Sequence, residues 1–155
     1  MEKVTAKWLR GYTFRYTLLH LIVYLIIGSL FYEISGYEEA LATMEAFALW
    51  RDLESIGMVA AVFFGQIFRG AILALLYYPF YSTYMKKPHG WLLLFGLLFG
   101  LQVIPIMFVI PESLTVMLLE AAVGLPEIVT QTLVFALLFF AWERRRNRKI
   151  ASAAA

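Results

Sequence analysis

Cysteine is absent from this chain of 155 residues. That excludes disulfides, thiolate metal sites, cysteine nucleophiles and dithiol chemistry linked to quinones. Aspartate occurs once, as Asp52, so the paired aspartates of intramembrane aspartyl chemistry are missing. There is no nucleophile elbow, no HExxH and no phosphate loop. These absences argue against an enzyme and against a bound cofactor. Charge is also scarce: 15% of residues are charged, against about 25% in an ordinary soluble domain. What fills the space is apolar. The hydrophobic share is 62%, the mean hydropathy is +0.76, and both place the chain in the membrane class. A net charge of +2 is too small to point to nucleic acid.

The apolar runs predict an all-α integral membrane protein with four transmembrane helices, over about 16–34, 56–84, 91–110 and 126–142. Residues 1–149 form one domain, and 150–155 are expected to be a disordered tail. A basic start before an apolar run can be a signal peptide. No clear small-x-small site follows here, so helix 1 is read as a retained span. Between helices 1 and 2, Ser35-Gly36-Tyr37-Glu38 fits a capping box. It predicts a short amphipathic helix at the outer surface. Pro79 should kink the end of helix 2, where Tyr77, Tyr78, Tyr81 and Tyr84 suit an aromatic belt. Gly96 and Gly100 on helix 3 form a small-xxx-small pattern for close helix approach. The stretch from Pro111 to Pro126 is too short to span alone. It is expected to be an interfacial or re-entrant segment.

Charge orients the bundle. Eleven of the thirteen Lys and Arg fall near the N-terminus, in the turn at Lys86 and Lys87, or after helix 4, leaving only Arg51 and Arg69. Nine of the eleven acids fall in the two opposite segments. The positive-inside rule then puts both termini in the cytoplasm, and Trp8, Trp91 and Trp142 all fall at that inner boundary. The plasma (cytoplasmic) membrane is the expected location. The basic run Arg144, Arg145, Arg146, Arg148 and Lys149 is expected to meet anionic lipid.

The residue that needs most explanation is Arg69. It lies eight residues inward of Tyr77, ~12 Å at 1.5 Å per residue, so it is expected slightly to the inner side of the midplane. A central charge costs ~2.5–3.5 kcal/mol on insertion scales. Its side chain leans toward the N-terminus of its helix, away from the near boundary. Arg69 should therefore face protein or water. Gln66 lies one turn earlier, Gln102 at similar depth on helix 3, and Gln131 on helix 4. We expect Arg69, Gln66, Gln102 and Gln131 to form a polar centre for an anionic or carboxylate-bearing ligand, with Glu120 as an outside candidate. The plainer alternative is that these groups bond only one another and fix the packing. His20 and His89 lack further ligands at metal spacing, so no metal is expected.

These features predict a small multi-pass protein of the transporter or channel type. Four short helices enclose little volume, so a homo-oligomer is expected. A non-catalytic accessory subunit is the alternative, and a lipid-modifying enzyme using an outer glutamate the third.

Overall fold

The computed structural model describes residues 5–35, 39, 56–107 and 114–154, with the side chains at 56, 58, 61, 102–107, 114–123 and 154 outside that description. The described residues form helices only: α1 (Ala6–Ile34), α2 (Ile56–Tyr77), a 3-10 turn (Tyr78–Phe80), α3 (Tyr81–Lys86), α4 (Gly90–Met107) and α5 (Leu114–Ala154). Three stretches are long and apolar enough to cross a membrane: Ala6–Ile34, Val62–Lys86 and Gly124–Ala153. A shorter apolar helix, Gly90–Leu101, accompanies them. This is the make-up of a helical membrane protein.

The helices outrun the apolar runs that predicted them. α1 begins at Ala6, ten residues before the expected start, with the Thr5 hydroxyl capping it by accepting from the Trp8 N–H at 3.3 Å. Lys and Arg are good helix formers, so the hydrogen-bonded ladder continues where hydrophobicity stops. The same holds at the other end of the chain. α5 runs unbroken through Glu143–Lys149 to Ala154, and residues 150–154 are helical where a disordered tail was expected. α5 also extends back past Pro126 to Leu114. From Leu114 onward, the expected re-entrant or interfacial segment is thus part of the last helix. The amphipathic helix expected after Ser35 falls outside the described residues, Glu39 apart. Pro79 does disturb its helix, which tightens into the 3-10 turn before resuming as α3.

α1 is the central helix. It packs against α2 on one side and α5 on the other, while α4 packs on α5 and the short α3 folds against α4 and α5. The core is aromatic: Tyr12, Tyr16, Tyr77, Tyr84 and Phe139 are fully or almost fully buried. Tyr16 is the hub, stacked on Tyr77 and set against Phe135 and Phe139. Two of the tyrosines expected in an aromatic belt, Tyr77 and Tyr84, therefore point inward. Glycine is required at the turn that follows. A Cβ at Gly90 would run into the Tyr84 carbonyl.

Candidate functional site

Two polar clusters interrupt this apolar interior, and both are organised by α1. The first closes the end that holds the 3-10 turn. Arg15 lies more than two turns inside α1, so its guanidinium is carried into the bundle. There it grips both carboxylate oxygens of Glu143, Nε to Oε1 and Nη2 to Oε2 at 3.2 Å. The Glu143 side chain has no exposed surface. Tyr81 donates to its Oε2 at 2.8 Å and accepts in turn from the Asn147 amide at 3.0 Å. Arg146, one turn along α5, brings a second guanidinium to 3.6 Å. The cluster joins α1, α3 and α5. Beside it, Tyr12 and Tyr84 share a hydrogen bond of 3.3 Å.

The second cluster lies further along α1. Gly70 lets α2 close on α1: a Cβ there would sit 3.0 Å from the His20 ring and 3.2 Å from the Thr17 backbone. This approach brings Gln66 against His20, with Nε2 to Oε1 at 3.2 Å, the arrangement of an imidazole N–H donating to an amide oxygen. Both residues are buried. From α5, Gln131 and Thr132 face the same layer. With His20, Val23, Tyr24, Leu98 and Phe135 they line a cavity of ≈ 10 Å³, about what one water molecule needs. Thr132 returns its hydroxyl to the Ile128 carbonyl at 2.6 Å, and Gln131 donates to Glu127 at 2.6 Å. Two buried hydroxyls here, on Tyr16 and Thr17, have no hydrogen-bond partner among the described residues.

Of the residues singled out from the sequence, Gln66 and Gln131 meet at this layer, joined through His20 and the cavity rather than to each other. The Gln102 and Glu120 side chains lie outside the described residues. Arg69 is exposed. Gly70 occupies the contact with α1, and Arg69, about 100° round the helix, leaves the interface at its flank. Its charge is still in Coulombic range of Tyr16, His20, Tyr24 and Tyr77. Because Gly70 abuts Thr17, Arg69 lies about one helical turn (~5 Å) from Arg15 along the direction of α1. Of the basic run, Arg144 turns back toward the Pro88 carbonyl at 3.4 Å and lies over the Phe140 ring, while Arg145, Arg148 and Lys149 remain exposed. No group of three or more His, Asp or Glu among the described residues could hold a metal ion.

Sequence reasoning missed the Arg15–Glu143 pair and the role of His20. A signal for the pair existed: Glu143 is the one acid at the head of a five-residue basic set, directly after an apolar run. For His20 the pairing with Gln66 depends on how α2 docks, which no local pattern encodes. No family model matches the chain, and no curated protein and no solved structure matches it.

Proposed function

We propose that the chain is a small four-span protein of the cytoplasmic membrane, with both termini inside. It works as a homo-oligomer of the transporter or channel type and holds an anionic or carboxylate-bearing ligand at Arg69. The observation that carries this is the exposure of Arg69 at the level of the buried His20–Gln66 layer. A guanidinium facing acyl chains at that depth is unfavourable, and an anion or a neighbouring copy relieves the cost. The cavity beside His20 among the described residues has room for about one water, which favours passage of a solute between copies. Gly65 and Gly96 support such contacts, because both are exposed and a Cβ at either would meet nothing within the chain. Anionic lipid would meet Arg145, Arg148 and Lys149, the exposed part of the basic run.

Reconstitution in liposomes tests the reading. Arg69→Leu is expected to abolish uptake of small carboxylate and phosphate solutes while leaving the fold intact. Full uptake by a folded Arg69→Leu protein would sink the ligand site. A second reading, a non-catalytic accessory subunit, is favoured by the filled aromatic core. It predicts no uptake by the wild type, and co-purification of a distinct partner that is lost when Gly65 or Gly96 is enlarged.

A further inference from the structure

α1 carries Tyr12, Tyr16, His20 and Tyr24 at intervals of four residues, so they stack one turn above another along a single face. Each bears a group that can both give and take a proton. The file has a carboxylate near each end. At the inner end, Tyr12 meets the Tyr84 hydroxyl and lies edge-on to Tyr81, which bonds Glu143. At the outer end, Tyr24 and His20 share the one-water cavity with Gln131, and Gln131 bonds Glu127. Glu143 and Glu127 lie sixteen residues apart on α5, ~24 Å along the axis, close to the ~30 Å of a hydrocarbon core.

The Tyr16 hydroxyl is the telling group. Its residue has no exposed surface, and the oxygen has no partner among the described residues. Phe135 and Phe139 pack beside it on α5. A phenylalanine at position 16 would make the same ring contacts without a buried unsatisfied hydroxyl. Packing therefore accounts for the ring and leaves the oxygen unexplained. Along α1 its residue lies between Tyr12, whose hydroxyl is bonded to Tyr84, and His20, whose ring is bonded to Gln66.

We propose that this face of α1 is a proton-conducting file through the interior of a single chain, with the Tyr16 hydroxyl as its middle relay. In each step a hydroxyl, imidazole or water accepts a proton on one side and releases its own on the other. No net bond or electron changes hands, and one proton enters as one leaves. Successive residues stand one turn apart. The cavity beside His20 and Tyr24 has room for a bridging water, and the Tyr12–Tyr16 stretch conducts only when a ring rotation or a transient water brings its hydroxyls within reach. The charged groups facing the file are Glu143, Arg15 and Arg146 at the inner end, Glu127 at the outer end, and Arg69 from α2 beside its middle. Arg69 opposes the passage of a positive charge, as a pore-lining arginine does. It is therefore the brake.

The test is proton flux in proteoliposomes, driven by a valinomycin-clamped potassium gradient and read with an internal pH dye. No ligand for Arg69 is present. The wild type is expected to dissipate the gradient faster than protein-free vesicles, and Tyr16→Phe to fall to the protein-free rate while melting no lower than the wild type. Tyr24→Phe should lose flux likewise, and Arg69→Gln should gain it. Wild-type flux equal to that of protein-free vesicles overturns the proposal. So does unchanged flux in both tyrosine variants. Loss of carboxylate uptake in Arg69→Leu with proton flux raised above the wild type separates this file from the ligand site.

Discussion

Tyr12 and Tyr16 lie one turn apart on α1, each with no exposed surface, yet one hydroxyl is bonded and the other is not. The contrast extends to the clusters around them. At the end that holds the 3-10 turn, both oxygens of the buried Glu143 carboxylate accept hydrogen bonds, from Arg15 on α1 and Tyr81 on α3, and Arg146 on α5 adds its charge at 3.6 Å. A buried ion pair is tolerable only when its remaining lone pairs and protons are met in this way. Further along α1, the Tyr16 and Thr17 hydroxyls have no partner among the described residues, and the neighbouring His20, Tyr24, Gln131 and Thr132 border a cavity of about one water. The Glu143 cluster ties three elements together as a clamp, whereas beside the His20 layer buried hydroxyls have no partner among the described residues.

The sharpest way to break that contrast is to remove the clamp. Glu143→Ala leaves the Arg15 guanidinium, only 13% exposed, without its partner. Breaking a buried pair from one side costs about 3–5 kcal/mol. Unfolding in mixed detergent micelles should show a loss of this size. Arg15→Ala combined with Glu143→Ala should recover part of it, because the stranded charge goes too. Strict additivity of the two single changes would show that the pair is not coupled. A smaller effect is expected at the turn that seats α3. In Gly90→Ala the new methyl group meets the Tyr84 carbonyl, a backbone atom that cannot rotate away. Overpacking of this kind costs about 1–3 kcal/mol, and a melting curve at the wild-type temperature would show that the turn adjusts freely.

The sequence conveyed the apolar helices well and the polar interior poorly, for physical reasons. Long apolar runs mark spans because backbone groups must be satisfied internally in lipid. Hydropathy therefore located α1, α2, α4 and the body of α5. It misjudged their ends, since a helix is limited by hydrogen bonding and not by polarity. Lys7, Arg10 and Arg15 continue α1 just as Arg144 to Lys149 continue α5. Gln66 and Gln131 could be singled out because an amide in an apolar run is costly. Arg69 is expected to face protein or water for the same reason; within one chain it is exposed because its neighbour Gly70 takes the interface, a choice made by how closely two backbones approach. The tyrosines show the limit most clearly. A tyrosine near a helix end reads as a belt residue, yet Tyr77 sends its hydroxyl to the Leu97 carbonyl at 3.2 Å inside the bundle.

The smallest expected effect is also the most discriminating, because its sign is at stake. Tyr12→Phe removes one side of the hydrogen bond to Tyr84 and should cost about 0.5–1.5 kcal/mol. Tyr16→Phe removes an oxygen that bonds nothing. Burying a hydroxyl without a partner costs roughly 1–3 kcal/mol in proteins, so its removal should leave stability equal or raise it. The two changes delete the same atom from the same face of the same helix, one turn apart. Opposite signs in a matched unfolding series mean that the first hydroxyl belongs to the clamp and the second is retained against stability. Equal losses would mean that the Tyr16 hydroxyl finds a partner in the membrane-embedded protein, and the contrast between the two regions would close.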